Sequence, residues 1–175
     1  MIFRLSQKLG DKVGIKPTAC YPLDPNPFAD WSGHVFRADR TEYVLLTNTA
    51  SLYSAVMYGR GITDDSHFLE RALSAIREFM ESDGLGFLYL RLIASSTSSV
   101  TFSKALNRSV AGSMNDLIFH AKFWLVEREA SPYDASFRLN ELPMSVFEYR
   151  NPREVMKLLP LEAVQTDAGG VQAGD

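Results

Sequence analysis

The sequence has few of the residues that form disulfides or hold metals. Its 175 residues include one cysteine, Cys20, and three widely separated histidines. A single cysteine excludes an intramolecular disulfide and suits a reducing compartment. Neither a CxxC nor an HExxH spacing occurs, so a zinc site is not expected. We therefore predict a cytoplasmic protein without a bound metal.

The sequence signatures of several enzyme and membrane-protein classes are also missing. The chain has no G-x-S-x-G elbow, no Walker loop, no Rossmann glycines and no paired-metal carboxylate cluster. No apolar run approaches the roughly 18 residues of a membrane span. The N-terminal sequence also lacks the apolar core of a signal peptide. We expect no cofactor and no membrane association, and the missing signatures favour a binding protein over an enzyme.

Most of the chain has no excess of either charge sign. The net charge is −3, and the last fifteen residues hold three acids and no base. The rest of the chain therefore carries 18 acidic and 18 basic residues, which gives no broad field to attract nucleic acid. The low-complexity segment 161–175 predicts a disordered acidic tail. Residues 1–160 predict a single globular domain, since 46% of the chain is hydrophobic.

Hydrophobic periodicity predicts an α+β fold. Residues 33–58 are dense in β-branched and aromatic residues around two turns, which indicates a three-strand antiparallel meander. Further strands are predicted near 100–104 and 135–140. Apolar stripes of helical period predict two main helices, 65–83 and 113–129. We expect an antiparallel sheet packed against these two helices.

Three lysines near the N-terminus, Lys8, Lys12 and Lys16, are spaced four residues apart. On a helix they share one face. A solvated helix face is the simpler interpretation, and an anion-binding patch is the alternative.

The stretch NRSVAGSMND, residues 107–116, is unusually rich in hydrogen-bonding groups for the entrance of a helix. Ser113, followed three residues later by Asp116, resembles a capping box. Gly112 then permits a sharp entry into the helix. This interpretation makes the stretch a helix start signal, and it leaves several polar side chains without a role.

The remaining polar side chains of this stretch suggest a ligand. A strand, a Gly/Ser turn and a helix N-terminus together bind anions well, and the planar guanidinium of Arg108 suits phosphate or carboxylate. Asp116 opposes this hypothesis because its charge repels an anion at the helix start. The predicted ligand-binding residues are Asn107, Arg108, Ser109, Ser113 and Asn115.

Three functional hypotheses follow. The first is a binding module for a small anionic ligand or nucleic acid at residues 107–116. The second is a hydrolase or nuclease in which Asp116 and His120 form an acid–base pair assisted by Arg108. The third is a protein-interaction or self-assembly domain, a homo-oligomer joined through an open edge of the meander. Arg108 could equally have a structural role.

Three segments together carry a resemblance to a known family: NRSVAGSMND, WSGHVFRADRTEYVLLTNTASLYSAVMYG and FRLNELPMSVFEYRNPRE. They resemble an uncharacterised bacterial domain-of-unknown-function family with an NRSVxGSMND block, a tryptophan before a hairpin and a late LNE-x-PM segment. Ala111 stands where the family pattern has leucine. The resemblance covers roughly residues 1–160 and implies one intact domain. It implies no particular reaction or ligand.

Overall fold

The computed structural model describes residues 1–161. Its centre is a five-stranded sheet in the order β4-β3-β2-β1-β5. The strands are β1 (Ile2–Leu5), β2 (Asp30–Ala38), β3 (Thr41–Asn48), β4 (Ser54–Tyr58) and β5 (Thr101–Lys104). The α-helices are α1 (Gln7–Val13), α2 (Asp65–Ser82), α3 (Gly86–Leu88), α4 (Arg108–Lys122), α5 (Pro132–Asn140) and α6 (Pro152–Leu158). The predicted acidic tail, apart from its first residue, lies outside the described residues.

The α+β class and the antiparallel meander are confirmed. β2, β3 and β4 pair in antiparallel order, and the strand predicted near 100–104 is β5. The prediction of a wholly antiparallel sheet is wrong, because β1 lies between β2 and β5 and runs parallel to both. Parallel neighbours need long crossover connections, and the helix-containing segments before β2 and β5 supply them.

The strand predicted at 135–140 is wrong, since this segment forms the helix α5. Ser131 caps it by accepting a hydrogen bond from the Asp134 N–H at 3.0 Å, and Pro132 occupies the first helical position. The buried residues Ala135, Ser136, Leu139 and Asn140 follow a helical spacing. The local alternation of the segment was too short to distinguish strand from helix.

The helix predicted at 65–83 is confirmed as α2, with Asp64 as its N-cap. The helix predicted at 113–129 starts five residues earlier, at Arg108. Asn107 caps it by accepting a hydrogen bond from the Val110 N–H at 2.9 Å. The proposed capping box at Ser113 is therefore wrong. The helix continues beyond Lys122 as a π-helical turn, Phe123–Glu127.

Helices cover both faces of the sheet. On one face α1 and α2 pack on β-strand residues that include Phe3, Trp31 and Leu46. On the other face α4 and α5 pack on Phe36 and Leu45. The two apolar clusters form a helix–sheet–helix sandwich, which leaves the ends of the strands as the exposed rim. Within residues 1–161, no helix combines the length and apolar character needed to cross a membrane.

The chain itself covers much of both sheet edges. At the β5 edge, Lys104 N–H donates to the Ala19 carbonyl at 3.0 Å, and Tyr21 N–H donates to Ser103 Oγ at 3.0 Å. At the β4 edge, side chains of α5 bind the strand backbone. Covered edges disfavour strand-to-strand association between molecules, so the predicted self-assembly route through an open meander edge is largely closed.

Candidate functional site

The parallel strands β1 and β5 end at the same rim of the sheet. The chain leaves β1 into α1, which packs on one face, and leaves β5 into α4, which packs on the other. Adjacent strands whose connections depart to opposite faces leave a crevice at their carboxyl ends. In open sheets with parallel strands, ligands commonly bind in such a crevice.

Three neighbouring cavities lie at this rim. One of about 440 Å³ opens on the α1 side and one of about 130 Å³ on the α4 side, and Ser6 and Ala105 line both. The smaller cavity shares His34 and Asn115 with a third cavity of about 450 Å³ between β2 and α4. We call this third cavity the His34 groove. Its polar lining residues are Lys8, His34, Arg37, Glu42, Asn115 and Lys122.

Four elements, α1, β2, β3 and α4, place the polar side chains of the His34 groove. Because side chains alternate along β2, His34 lies on the same face as Phe36, which packs under α4. Lys8 comes from the first turn of α1, directly after β1. Asn115 and Lys122 lie two turns apart on α4 and therefore border the same side of the groove.

The His34 groove has an excess of positive charge. Lys8, Arg37 and Lys122 form no ion pair with any residue between 1 and 161. The one carboxylate in the lining, Glu42, is already paired with Lys12 at 2.6 Å. A concave site with three unpaired cations and one neutralised acid favours a negatively charged ligand.

The surroundings of His34 keep its imidazole neutral. Burial lowers the pKa of His34, and the nearby charge of Lys8 lowers it further. A neutral imidazole offers one donor and one acceptor, whereas a protonated one offers two donors. A bound anion would favour the protonated form, so ligand binding and the charge of His34 are coupled.

Asn107 and Ser113 do not lie in an open loop before the helix, as the sequence predicted. Asn107 is occupied as the N-cap of α4. Ser113 lies half-buried within the helix, in its second turn rather than at its start. The polar stretch is therefore mostly helix, and the predicted loop at 107–113 does not exist.

Arg108, Ser109 and Asn115 are exposed on α4. Over the described part of the chain, no hydrogen bond or ion pair engages the guanidinium of Arg108, so a structural role for it receives no support. Asn115 is the one predicted ligand-binding residue that lines the His34 groove. The first turn of α4 holds no acidic residue, since Asp116 falls in its third turn. The repulsion argued from Asp116 against an anion is thereby weakened.

Asp116 and His120, the acid–base pair of the hydrolase hypothesis, both lie on α4. Asp116 is exposed and His120 is half-buried. No hydrogen bond joins them among the described residues, and neither lines the His34 groove. The ring of His120 lies against Phe119, with the two centroids 5.7 Å apart. Catalysis by this pair remains a prediction.

Sequence reasoning missed His34 and Arg37 as candidate site residues. Both lie in the middle of a strand pattern that indicated only a sheet. Lys8 was noted in the series of three lysines, but α1 ends at Val13 and Lys12 is paired with Glu42. Of the three lysines, Lys8 alone lines the groove. The sequence feature that could have indicated the site is Lys8, a cation that comes shortly after strand β1.

The fold and the groove define an α+β domain with a cationic cleft between β2 and α4, near the rim where its parallel strands end. The chain belongs to the family described as Domain of unknown function (DUF6933), which it matches over residues 2–155. This match confirms the resemblance to an uncharacterised domain family. No curated protein and no solved structure matches the chain.

Proposed function

We propose that the protein binds a small anionic ligand, bearing phosphate or carboxylate, in the His34 groove. The observation that carries the proposal is the set of three cations, Lys8, Arg37 and Lys122, around one imidazole. A cavity of about 450 Å³ is within the size range of small-molecule sites. The proposal keeps the ligand class and Asn115 from the sequence hypothesis but moves the site from the start of α4 to its side.

The proposed role is binding in a cytoplasmic setting. Lys8 comes from α1, Arg37 from β2 and Lys122 from α4, so cations of three elements border the groove. The side-chain amide of Asn115 can accept a hydrogen bond from the ligand or donate one to it. Nucleic acid is the less favoured ligand, because the cations line a single groove and do not form an extended stripe.

The proposal predicts that charge-neutral variants of the groove bind sulfate more weakly. We expect Lys8→Gln and Arg37→Gln each to reduce sulfate affinity about tenfold, since a hydrogen bond to a charged group contributes about 1.5–3 kcal/mol. Titration of the amide NMR signals at constant ionic strength, with chloride as balance, measures the affinity. Lys157→Gln, an exposed lysine of α6 outside the groove, is the control.

The same titration has a pH dependence that identifies His34. Burial and the charge of Lys8 lower the pKa of His34, which favours the neutral imidazole at pH 7, and a bound anion would favour the protonated form. Sulfate keeps its charge between pH 8 and pH 5.5, so any change in its affinity reflects the protein. Because protonation of His34 adds a positive charge, the affinity for sulfate should rise as the pH falls over this range. His34→Asn should remove most of that rise. Equal affinities for the wild type and Lys8→Gln would contradict the proposal, and tighter, steeply salt-dependent binding of a single-stranded oligonucleotide would favour nucleic acid.

A second candidate function, self-association, is favoured by the outer face of α4. Phe119 is 73% exposed, and Phe123, 41% exposed, lies one turn further along the same face. Gly112 lies on this face two turns before Phe119, and apart from its chain neighbours and the nearby helix backbone nothing lies within 4 Å of where its Cβ would be. A glycine inside a helix costs about 1 kcal/mol, and close approach of another helix would give it a purpose.

The outer face of α4 is complementary to a second copy of itself. In an antiparallel pairing with a two-fold axis at Phe119, Asp116 of each copy meets Lys122 of the other. A two-fold interface is self-complementary in this manner. This route replaces the sheet edge as the proposed means of forming a homo-oligomer.

We expect the protein to form dimers that Phe119→Lys converts to monomers, with at least tenfold weaker association. The reason is that two lysines would then face each other at the axis of the pair. Light scattering coupled to size exclusion, over a wide range of concentration, measures the mass. Phe87→Lys changes a phenylalanine that is 64% exposed outside this face and should leave association intact. A wild-type protein that remains monomeric at the highest concentration would remove this candidate.

A further inference from the structure

We propose that the cleft between α2, α5 and the outer edge of β4 binds an extended peptide that carries a basic residue. This cleft, here the β4 cleft, has a volume of about 520 Å³. Its floor is the strand backbone at residues 55–58, and its walls are one face of α2 and the first turns of α5. It lies apart from the His34 groove, so the inference is independent of the proposed function.

The hydrogen-bonding pattern of the sheet determines which β4 backbone groups face the cleft. Asn48 N–H donates to the Tyr53 carbonyl at 2.8 Å, and Gly59 N–H donates to the Glu42 carbonyl at 2.8 Å. In an antiparallel pair, alternate residues direct their backbone groups toward the partner strand. The backbone groups of residues 54, 56 and 58 therefore point away from β3, toward the outer edge.

Side chains of α5 satisfy the first half of this edge. Asn140 Oδ1 accepts from Ser54 N–H at 2.8 Å, and Asn140 Nδ2 donates to the Ser54 carbonyl at 2.7 Å. Ser136 Oγ accepts from Val56 N–H at 2.8 Å. Three outward groups of the strand are thus bound by two side chains one helical turn apart.

The second half of the edge is only partly satisfied. Arg71 Nη2 donates to the Tyr58 carbonyl at 2.6 Å. The Val56 carbonyl and the Tyr58 N–H have no partner among residues 1–161. One free acceptor and one free donor therefore remain, two residues apart, on the floor of the β4 cleft.

The spacing of these two groups matches one residue of an added parallel strand. In parallel pairing, a residue donates its N–H to one carbonyl and accepts from the N–H two residues further on. The inserted residue would thus lie level with Met57. Its side chain would point to the same face as Met57, which packs in the apolar cluster with α2. Strand addition at a free sheet edge is an established mode of peptide recognition.

The walls of the β4 cleft indicate the side chains of the peptide. Ala75 and Phe79 of α2 and Tyr133 of α5 supply apolar surface for the inserted residue. Glu70 and Glu78 lie eight residues apart on α2, on the side that lines the cleft. Neither carboxylate forms an ion pair with another described residue. A basic side chain two positions from the inserted residue, on the same side of the peptide, complements them.

The test begins with selection from a displayed library of random nine-residue peptides on the wild-type protein. We expect enrichment of peptides with an apolar residue and a lysine or arginine two positions away. Synthetic copies of the enriched peptides should shift the Tyr58 amide signal strongly in NMR titrations. Methylating the backbone nitrogen of the apolar residue removes its N–H, and we expect at least tenfold weaker binding. Methylation of the next residue, whose N–H points away from β4, should have a smaller effect.

A matched pair of variants locates the site. Ser74→Trp places a large ring in the β4 cleft, whereas Ser66→Trp alters another exposed serine of α2 outside it. We expect the first variant to lose at least tenfold in peptide affinity and the second to retain it. The proposal is overturned if no peptide is enriched, if Ser74→Trp binds as tightly as the wild type, or if the methylation has no effect. The methylated peptides test the wild-type protein, so they decide the question even if Ser74→Trp misfolds.

Discussion

Replacing Arg4 with alanine is expected to lower the free energy of unfolding by about 3–5 kcal/mol, because it leaves a buried carboxylate without its partner. Arg4 lies in β1, the strand between β2 and β5, and both its side chain and that of Asp30 are fully buried. Arg4 Nε donates to Asp30 Oδ1 at 2.8 Å, and Arg4 Nη2 donates to Asp30 Oδ2 at 2.7 Å. This two-pronged geometry is the strong form of such a pair.

The remaining donors of Arg4 hold the proline-rich segment against the sheet. Nη1 donates to the Tyr21 carbonyl at 2.8 Å and to Ser103 Oγ at 3.3 Å, and Nη2 donates to the Pro22 carbonyl at 2.9 Å. All five N–H groups of the guanidinium are therefore satisfied. Loss of Arg4 would also free the segment that covers the β5 edge.

Urea unfolding of three variants separates these effects. Arg4→Ala should show the full loss of unfolding free energy. Arg4→Lys should recover only part of that loss, because an ammonium group cannot reproduce the planar geometry of the guanidinium. Arg40→Ala changes an exposed arginine in the β2–β3 turn and should cost less than about 0.5 kcal/mol. If Arg4→Ala and Arg40→Ala unfold at the same urea concentration, the proposed importance of the buried pair is wrong.

The parts of the fold that depend on local patterns were predictable. The meander combines dense β-forming residues with short turns, so the interactions that define it lie close in sequence. The direction of β1 was not predictable, because its partners begin at Asp30 and Thr101 and the strand has only four residues. α5 was missed because ASFRLN alternates for a few residues, while its real signal was the cap at Ser131 followed by Pro132.

The proposed groove borders the helix that the sequence indicated, but it lies along the side of that helix and not at its start. Gly112 was interpreted as the turn into the helix, since glycine is unfavourable inside one. Asn107, an equally good N-cap residue, in fact begins α4. The groove depends on contacts between β2 and α4, which are far apart in sequence. No local pattern could therefore bring His34 and Arg37 together with Asn115.

Replacing Asn140 with leucine is expected to cost about 2–4 kcal/mol, because each buried polar group left without a partner costs about 1–3 kcal/mol. Asn140 is 1% exposed, and it binds both the N–H and the carbonyl of Ser54. Leucine has a similar volume and a high helix propensity, so the loss should reflect the unpaired strand groups and not a cavity or a weakened helix.

Graded variants of the β4 edge test this explanation. Ser136→Ala removes the partner of one strand group, the Val56 N–H, together with the hydroxyl donor to the Pro132 carbonyl, and should cost about 1–2 kcal/mol. Asn115→Leu, an exposed asparagine of α4, should stay within about 0.5 kcal/mol of the wild type. Urea unfolding measures all three. Equal stability of Asn140→Leu and Asn115→Leu would show that the edge contacts contribute little.

The loss of Asn140 should also change association, since an uncovered strand edge can pair with another chain. We expect Asn140→Leu to form larger species in light scattering, and we expect Phe119→Lys not to suppress them, because they would grow from the sheet edge and not from α4. In these larger species the Ser54 amide should be protected from hydrogen exchange, because it would pair with another chain. If Phe119→Lys instead abolishes the larger species, they arise from the face of α4, and the covering of β4 by α5 serves stability alone.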